Sequence, residues 1–333
     1  MADGATNATG SSRAGDRPDA ARTGLLMMAG ATLLIPCIDA IAKILINDTP
    51  AIPAVQIAFF RFLAQIALLA PLAFLTVGWR VLKPRRFGLM ALRGLLIAGA
   101  GIFFFASLKA MPLAETVAIF FVEPLLLTAL SAALLGERIG WRRISAVLVG
   151  LAGAMLIVRP SFIEVGWAAT LPFGAAVCFA LYLLLTKILA EESAFALQFW
   201  SAVSALVVMT LAMGLGVLLL DGAAGGIARE WLAPAAPTPR QWALLALLGL
   251  IATSAHMVIV FAFQRAPASL LAPFQYLEIV GATTLGWLVF GEFPDPATPA
   301  GQATWAGVLL VVGSGLFVFA RERRLENEGA PPA

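Results

Sequence analysis

The chain has 333 residues, 61% hydrophobic and only 12% charged, with a mean hydropathy of +0.93 and a formal net charge of +3. So few charges cannot cover a soluble domain of this size, and a surplus of three is no nucleic-acid footprint. The composition is that of a multi-span helical membrane protein, whose basic residues report orientation rather than ligand.

Residues 1–22, rich in Ala, Gly, Ser, Asp and Arg, read as an unstructured cytoplasmic tail without a cleavage-site pattern. Ten apolar runs follow. The first five are expected at Gly24–Ile46, Ile52–Val77, Phe87–Leu108, Met111–Leu135 and Ile144–Val158. The second five are expected at Val165–Leu189, Ala194–Leu220, Gln241–Gln264, Pro267–Phe290 and Gln302–Ala320. A cytoplasmic tail over 323–333 closes the chain. Cys37 and Cys178 lie inside spans without metal-ligand spacing and read as small packing residues. With the N-terminus inside, 15 Lys and Arg fall on the cytoplasmic side, counting Lys187 at the inner end of the sixth span, and 4 on the other, which orients both termini inward.

The fourth and ninth spans are copies of one another. Pro112 matches Pro267, Glu123 matches Glu278, and Gly136-Glu137 matches Gly291-Glu292, all at an offset of 155. Gly153–Arg159 parallels Gly315–Arg321, and Lys43-Ile44-Leu45 echoes Lys187-Ile188-Leu189. Two copies are therefore expected, over 23–160 and 161–322. Five spans per copy is an odd number, so the second copy must enter the membrane from the opposite side, giving an inverted repeat. The loops agree: Arg138, Arg142 and Arg143 follow the fourth span, whereas the loop after the ninth has no base and carries Asp295. The fold class is thus an all-α membrane protein of ten helices in two inverted five-helix repeats.

The Pro112-Leu113-Ala114-Glu115 opening of the fourth span, the Leu135-Gly136-Glu137-Arg138 after it, and the Gly150, Gly153, Leu156-Ile157 pattern of the fifth resemble an EamA domain. Two such domains in tandem make the drug/metabolite transporter superfamily, and the resemblance covers about residues 24–321. It implies a transporter of the bacterial inner membrane. That superfamily moves amino acids, amines, nucleotide-like metabolites and vitamins; the third to fifth spans are similar to members linked to S-adenosylmethionine or riboflavin uptake and to amino-acid exporters.

Glu123 and Glu278 fall near the middle of their spans, where a carboxylate costs about 2.5–3.5 kcal/mol unless it is sheltered. Either they face a shared cavity and bind a cationic group or a coupling proton, or they cap kinked backbone. Pro124 withholds a hydrogen bond from the Phe120 carbonyl, and Pro273 from that of Ser269, so both helices are expected to break at matching depth. Thr116, Phe120 and Glu123 share a face of the fourth span, and Gln275 shares one with Glu278 in the ninth; Tyr276 is about 100° away. These residues are the candidate substrate-binding set, with Arg61 as a clamp for a substrate carboxylate. Asp39, Glu115, Pro124 and Pro273 are the candidates for coupling or gating. The structural alternative for Arg61 is a bridge to Asp39 or to Glu115, with Lys43 one turn from Asp39. His256, a lone helical histidine, reads as a satisfied polar residue before a proton relay. Trp200, Phe59, Phe60 and Tyr182 are candidates to wall a pocket for a flat ring. Ala146, Gly150 and Ala154 form a small-residue stripe suited to close helix contact.

The leading reading is a secondary transporter for an amino acid, amine or similar zwitterion or cation, with a cofactor-type solute such as S-adenosylmethionine or riboflavin as the alternative. Protons are the candidate coupling ion, and the protein is expected as a monomer or homodimer with no cofactor or metal. An intramembrane enzyme lacks support: no GxxxxGK[ST], HExxH or CxxC is present. A membrane sensor or assembly subunit would need a soluble domain to pass its signal on.

Overall fold

The apolar runs become helices, and the fourth and ninth runs, which carry Pro124 and Pro273, become pairs of helices. The computed structural model describes residues 12–110, 113–137, 140–158, 170–219, 234–291 and 297–327, among which there is no strand. The first copy supplies α1 (Ser12–Asn47), α2 (Ala54–Thr76), α3 (Phe87–Ala110), α4 (Leu113–Phe120), α5 (Glu123–Leu135) and α6 (Trp141–Val158). The second supplies α7 (Thr170–Ile188), α8 (Ala194–Leu219), α9 (Pro239–Arg265), α10 (Ala268–Gln275), α11 (Leu277–Phe290) and α12 (Pro299–Asn327). Six stretches, Ala20–Asn47, Ala54–Thr76, Phe87–Ser107, Thr170–Ile188, Ala194–Leu215 and Pro239–Arg265, are long and apolar enough to cross a bilayer.

The fourth run is split between α4 and α5. Pro124 has no N–H for the Phe120 carbonyl, and Val122 N instead makes a tighter bond to Ile119 O at 3.3 Å. In the ninth run Pro273 stays inside α10, and the interruption falls three residues later at Tyr276, where Ile279 N bonds Tyr276 O at 3.1 Å. α5 and α11 then end alike. Gly136 (φ 66°) and Gly291 (φ 71°) take the left-handed conformation that closes a helix C-terminus, which explains why glycine recurs there in both copies.

Several helix ends differ from expectation. α1 begins at Ser12, inside the segment read as an unstructured tail, because Ala14, Arg17, Ala20, Ala21 and Arg22 favour helix and extend the span that follows. α12 likewise runs on to Asn327, beyond the expected Ala320. α9 starts at Pro239 rather than Gln241 because a capping box fixes it: Gln241 N donates to Thr238 Oγ1 at 3.3 Å and Thr238 N to Gln241 Oε1 at 2.9 Å.

Packing interleaves the copies. α1 lies against α9 and α11, and α3 against α7 and α8; α2 packs on α8 and α9, α5 on α7 and α10, and α6 on α12. Exchanging the copies (α1 for α7, α2 for α8, α3 for α9, α5 for α11, α6 for α12) turns α1–α9 into α7–α3 and α2–α9 into α8–α3, each again a packed pair. One apolar core joins both copies, with Phe62, Phe121, Tyr182, Phe263 and Tyr276 among its buried members. Large apolar side chains such as Leu75, Trp141, Leu211, Leu288 and Leu309 point outward, an arrangement that suits lipid and not water.

Candidate functional site

Four helices bring ionisable side chains to one shared space. α1 brings Asp39, α2 Arg61, α9 His256 and α11 Glu278, and all four line one cavity of about 80 Å³. Phe104 and Phe105 of α3, Phe120 of α4 and Phe179 of α7 wall it, with Ile35, Ile38, Ile97, Ala100 and Gly101 filling the remainder. The rings form a continuous row: Phe104 to Phe120 at 5.3 Å between centroids, Phe120 to Phe179 at 5.6 Å and Phe179 to Tyr182 at 5.4 Å. The aromatic wall therefore comes from α3, α4 and α7. Of the rings named as wall candidates, Trp200 instead donates to Leu82 O at 2.8 Å, and Phe59 and Phe60 pack together with Trp242.

Arg61 is buried, and its Nη2 lies 2.6 Å from His256 Nε2. A guanidinium only donates, so Nε2 accepts and the neutral ring carries its proton on Nδ1, 3.4 Å from Tyr182 Oη. Tyr182 Oη also accepts from Arg93 Nη2 at 2.8 Å. Arg93, on α3, is wholly buried. It further donates to Thr186 Oγ1 (2.8 Å), Ser201 Oγ (2.7 Å) and Leu197 O (3.1 Å), with Gln198 Oε1 shared between its two terminal nitrogens at 3.3 and 3.4 Å. Its guanidinium carbon is 4.3 Å from the Tyr182 ring centroid.

The Asp39–Arg61 bridge, one of the two structural alternatives, is not formed. Among the described residues no ion pair joins them, and Arg61 turns to His256 because α2 packs on α9 and has little contact with α1. Asp39 remains within electrostatic reach of both Arg61 and Glu278. The other proposed partner, the Glu115 side chain, lies outside the described residues. Lys43 places its ammonium 4.3 Å from the Phe290 ring centroid.

Glu123 does not line the cavity. It opens α5 as a buried residue facing Gln275, with Tyr276 and Glu278 in electrostatic reach. Glu123 Oε1, Gln275 Nε2, Tyr276 Oη and Thr116 Oγ1 are all buried and lack a hydrogen-bond partner among the described residues. Tyr276, a binding candidate, is packed away from the cavity against Phe121 (5.7 Å between centroids) and the bare Cα of Gly150. The Ala146–Gly150 stripe thus serves helix contact. Pro124 and Pro273 are both buried beside the two helix breaks. Arg93 was absent from the candidate set although an arginine inside an apolar run is itself a signal. Phe179 carries no such signal among 22 phenylalanines.

The profile of the EamA-like transporter family matches this chain twice, over residues 22–159 and 166–320. The chain belongs to the EamA-like transporter family. Among curated relatives, this EamA-like protein is 28% identical to a riboflavin transporter of Rhizobium johnstonii over 324 residues, covering 94% of this chain and 96% of that one. It is 27% identical to an S-adenosylmethionine uptake transporter of Rickettsia bellii (81% of this chain, 84% of that one) and 26% identical to a pseudopaline exporter of Pseudomonas aeruginosa (88% and 95%). One solved crystal structure matches with a TM-score of 0.69 at 20% identity, covering 91% of this chain and 98% of that one, which shows a shared fold.

Proposed function

We propose that this EamA-like protein is a secondary transporter of the bacterial inner membrane, moving a zwitterionic or cationic metabolite that carries a planar ring. The observation that carries the reading is the cavity: Asp39, Glu278 and Arg61 bring both signs of charge to a space walled by four phenyl rings. Once the cavity widens beyond the ~80 Å³ it has here, a solute with an ammonium or sulfonium group, an acid group and a ring meets a complementary partner for each part. The packing of the two copies supports an inverted pair that rocks about this cavity, with the half-helix ends of α5 and α11 aimed inward. Both termini face the cytoplasm in this reading. That places Arg80, Lys83, Arg85 and Arg86 on the inner side, where Arg85 N donates to Glu192 Oε2 at 3.4 Å.

The relatives span riboflavin, S-adenosylmethionine and pseudopaline, and therefore span uptake and export. The charged groups favour the S-adenosylmethionine type over a neutral flavin, while the ring row favours either over an aliphatic amine. Counterflow in proteoliposomes with radiolabelled S-adenosylmethionine, riboflavin, pooled amino acids and a sugar phosphate tests this. Saturable exchange of S-adenosylmethionine or a ring-bearing amino acid is expected. Saturable exchange of sugar phosphate alone, or no exchange above protein-free vesicles, overturns it.

A further inference from the structure

The hydrogen-bonded chain that starts at the cavity and ends in the protein interior has no counterpart in a simple solute pocket. Arg61 lines the cavity, yet its only described polar partner is the neutral ring of His256, and its Nε lacks any partner among the described residues. Behind His256 stands Tyr182, and behind Tyr182 stands Arg93, whose own donors are taken up by Thr186, Ser201, Leu197 O and Gln198. Two guanidiniums are thus tied together through two neutral side chains, with no carboxylate among their described hydrogen-bond partners. A surface arginine would satisfy its donors with water. A buried one left short of an acceptor calls for a partner that the described residues do not supply, a water or a bound group.

We infer that Arg61 anchors an anionic oxygen group of the transported solute, a carboxylate in a zwitterion, and that His256, Tyr182 and Arg93 are positioning residues that fix its donor edge. The inference rests on the transporter reading above and names the group of the solute that this side of the cavity takes. The directions of the hydrogen bonds make the chain one-way. Arg61, which can only donate, takes His256 Nε2 as acceptor and so places the ring proton on Nδ1, facing Tyr182 Oη, while Arg93 donates to the same oxygen from the other side. With its proton on Nδ1, His256 can only accept at Nε2. Arg61 must supply the proton of that bond from Nη2, so its torsions are set; its Nε is sealed, and Nη1, which is neither sealed nor bonded among the described residues, is left for the solute. Losing any link frees the guanidinium to rotate, and a carboxylate then meets a mobile cation instead of a fixed donor.

The test uses the full-length protein in proteoliposomes and two probes differing in one group: S-adenosylmethionine and its decarboxylated analogue, which keeps the ring, the sulfonium and the amine. The readout is the ratio of their kcat/KM values, which a structural defect lowering active protein leaves unchanged. Wild type is expected to favour the carboxylate-bearing probe by about 10- to 100-fold, the worth of a charge-assisted hydrogen bond. Arg61→Met should bring the ratio to near one. His256→Leu and Tyr182→Phe should lower it several-fold through the KM of the carboxylate-bearing probe alone, whereas His256→Gln, which keeps a side-chain acceptor, should restore much of it. An unchanged ratio in Arg61→Met overturns the anchor; a lost ratio there with none lost in His256→Leu and Tyr182→Phe overturns the brace. Wild type that transports both probes without preference also overturns the anchor. If neither probe shows saturable uptake, the same ratio is read with tryptophan and tryptamine, which differ in the same group; absence of saturable uptake of that pair too overturns instead the substrate reading on which the inference rests.

Discussion

Glu137 Oε1 accepts a hydrogen bond from Ala268 N at 3.1 Å, across 131 residues of sequence. Ala268 opens α10, whose preceding residue, Pro267, supplies no side-chain cap, so the free amide is capped from the end of α5 in the other copy. Beside it, Lys187 Nζ donates to Phe263 O at 3.0 Å and Ala266 O at 2.7 Å, covering the last carbonyls of α9. One acid and one base therefore hold the α9–α10 turn from both sides. Glu137→Ala and Lys187→Met should each cost about 1 kcal/mol, while Glu137→Gln, which keeps an oxygen acceptor, should cost less. The apparent Tm of detergent-purified protein measures this. The two effects should not add in the double variant, because the residues share one turn.

Arg93 is the most demanding buried group. Its donors reach five residues on α3's neighbours α7 and α8. Lysine offers one compact ammonium in place of a planar fork and cannot reach Thr186, Tyr182 and Ser201 together. Arg93→Lys should therefore cost at least about 3 kcal/mol, with loss of monodisperse protein on size-exclusion chromatography. Arg265→Lys, at an exposed arginine, should change stability by no more than about 0.5 kcal/mol. Equal behaviour of the two would show that the Arg93 network contributes little.

Much of this architecture could be read from the sequence, and what could not depends on which helices meet. The spans follow from runs of apolar residues. The copy relation follows from Glu123 and Glu278, and from Gly136 and Gly291, at one offset. The prolines warned of broken helices because a missing N–H acts within a few residues of itself. Partner choice is different. Arg61 stood as close in sequence logic to Asp39 as to any group, and only the packing of α2 on α9 gave it to His256. Glu123 and Glu278 matched by position, yet Glu278 lines the cavity and Glu123 is sealed beside Gln275. Near-symmetric copies place equivalent residues alike only to within the rotation of a helix, and a fraction of a turn decides whether a side chain meets solvent or protein.

Gly150 should tolerate no side chain. A Cβ there would run into the Tyr276 ring, which is fully buried at the break between α10 and α11 and cannot move aside. Gly150→Ala should cost about 1–3 kcal/mol, the range for overpacking a tight contact. Gly30 lies in the middle of α1 with nothing within 4 Å of the same position, so Gly30→Ala should be neutral or stabilising by up to about 1 kcal/mol. Opposite signs of the two Tm changes are the expected result. Partial recovery of Gly150→Ala by Tyr276→Leu would locate the cost in that one contact.

The two matched carboxylates should respond differently to the same change. Glu278 faces the cavity with Asp39, so Glu278→Gln should raise the KM for a cationic solute about tenfold with little loss of folded protein, since the side chain keeps its size. Glu123 is buried with Oε1 unpartnered, so Glu123→Gln removes a group that costs about 2.5–3.5 kcal/mol to hold as an ion in lipid and should leave Tm unchanged or higher. If Glu123 carries the coupling proton, the same variant should still exchange solute across the membrane but no longer accumulate it when a proton gradient is imposed. Uptake by proteoliposomes with and without that gradient separates the two roles. Gradient-driven accumulation that survives in Glu123→Gln and is lost in Glu278→Gln would place coupling at the cavity wall instead.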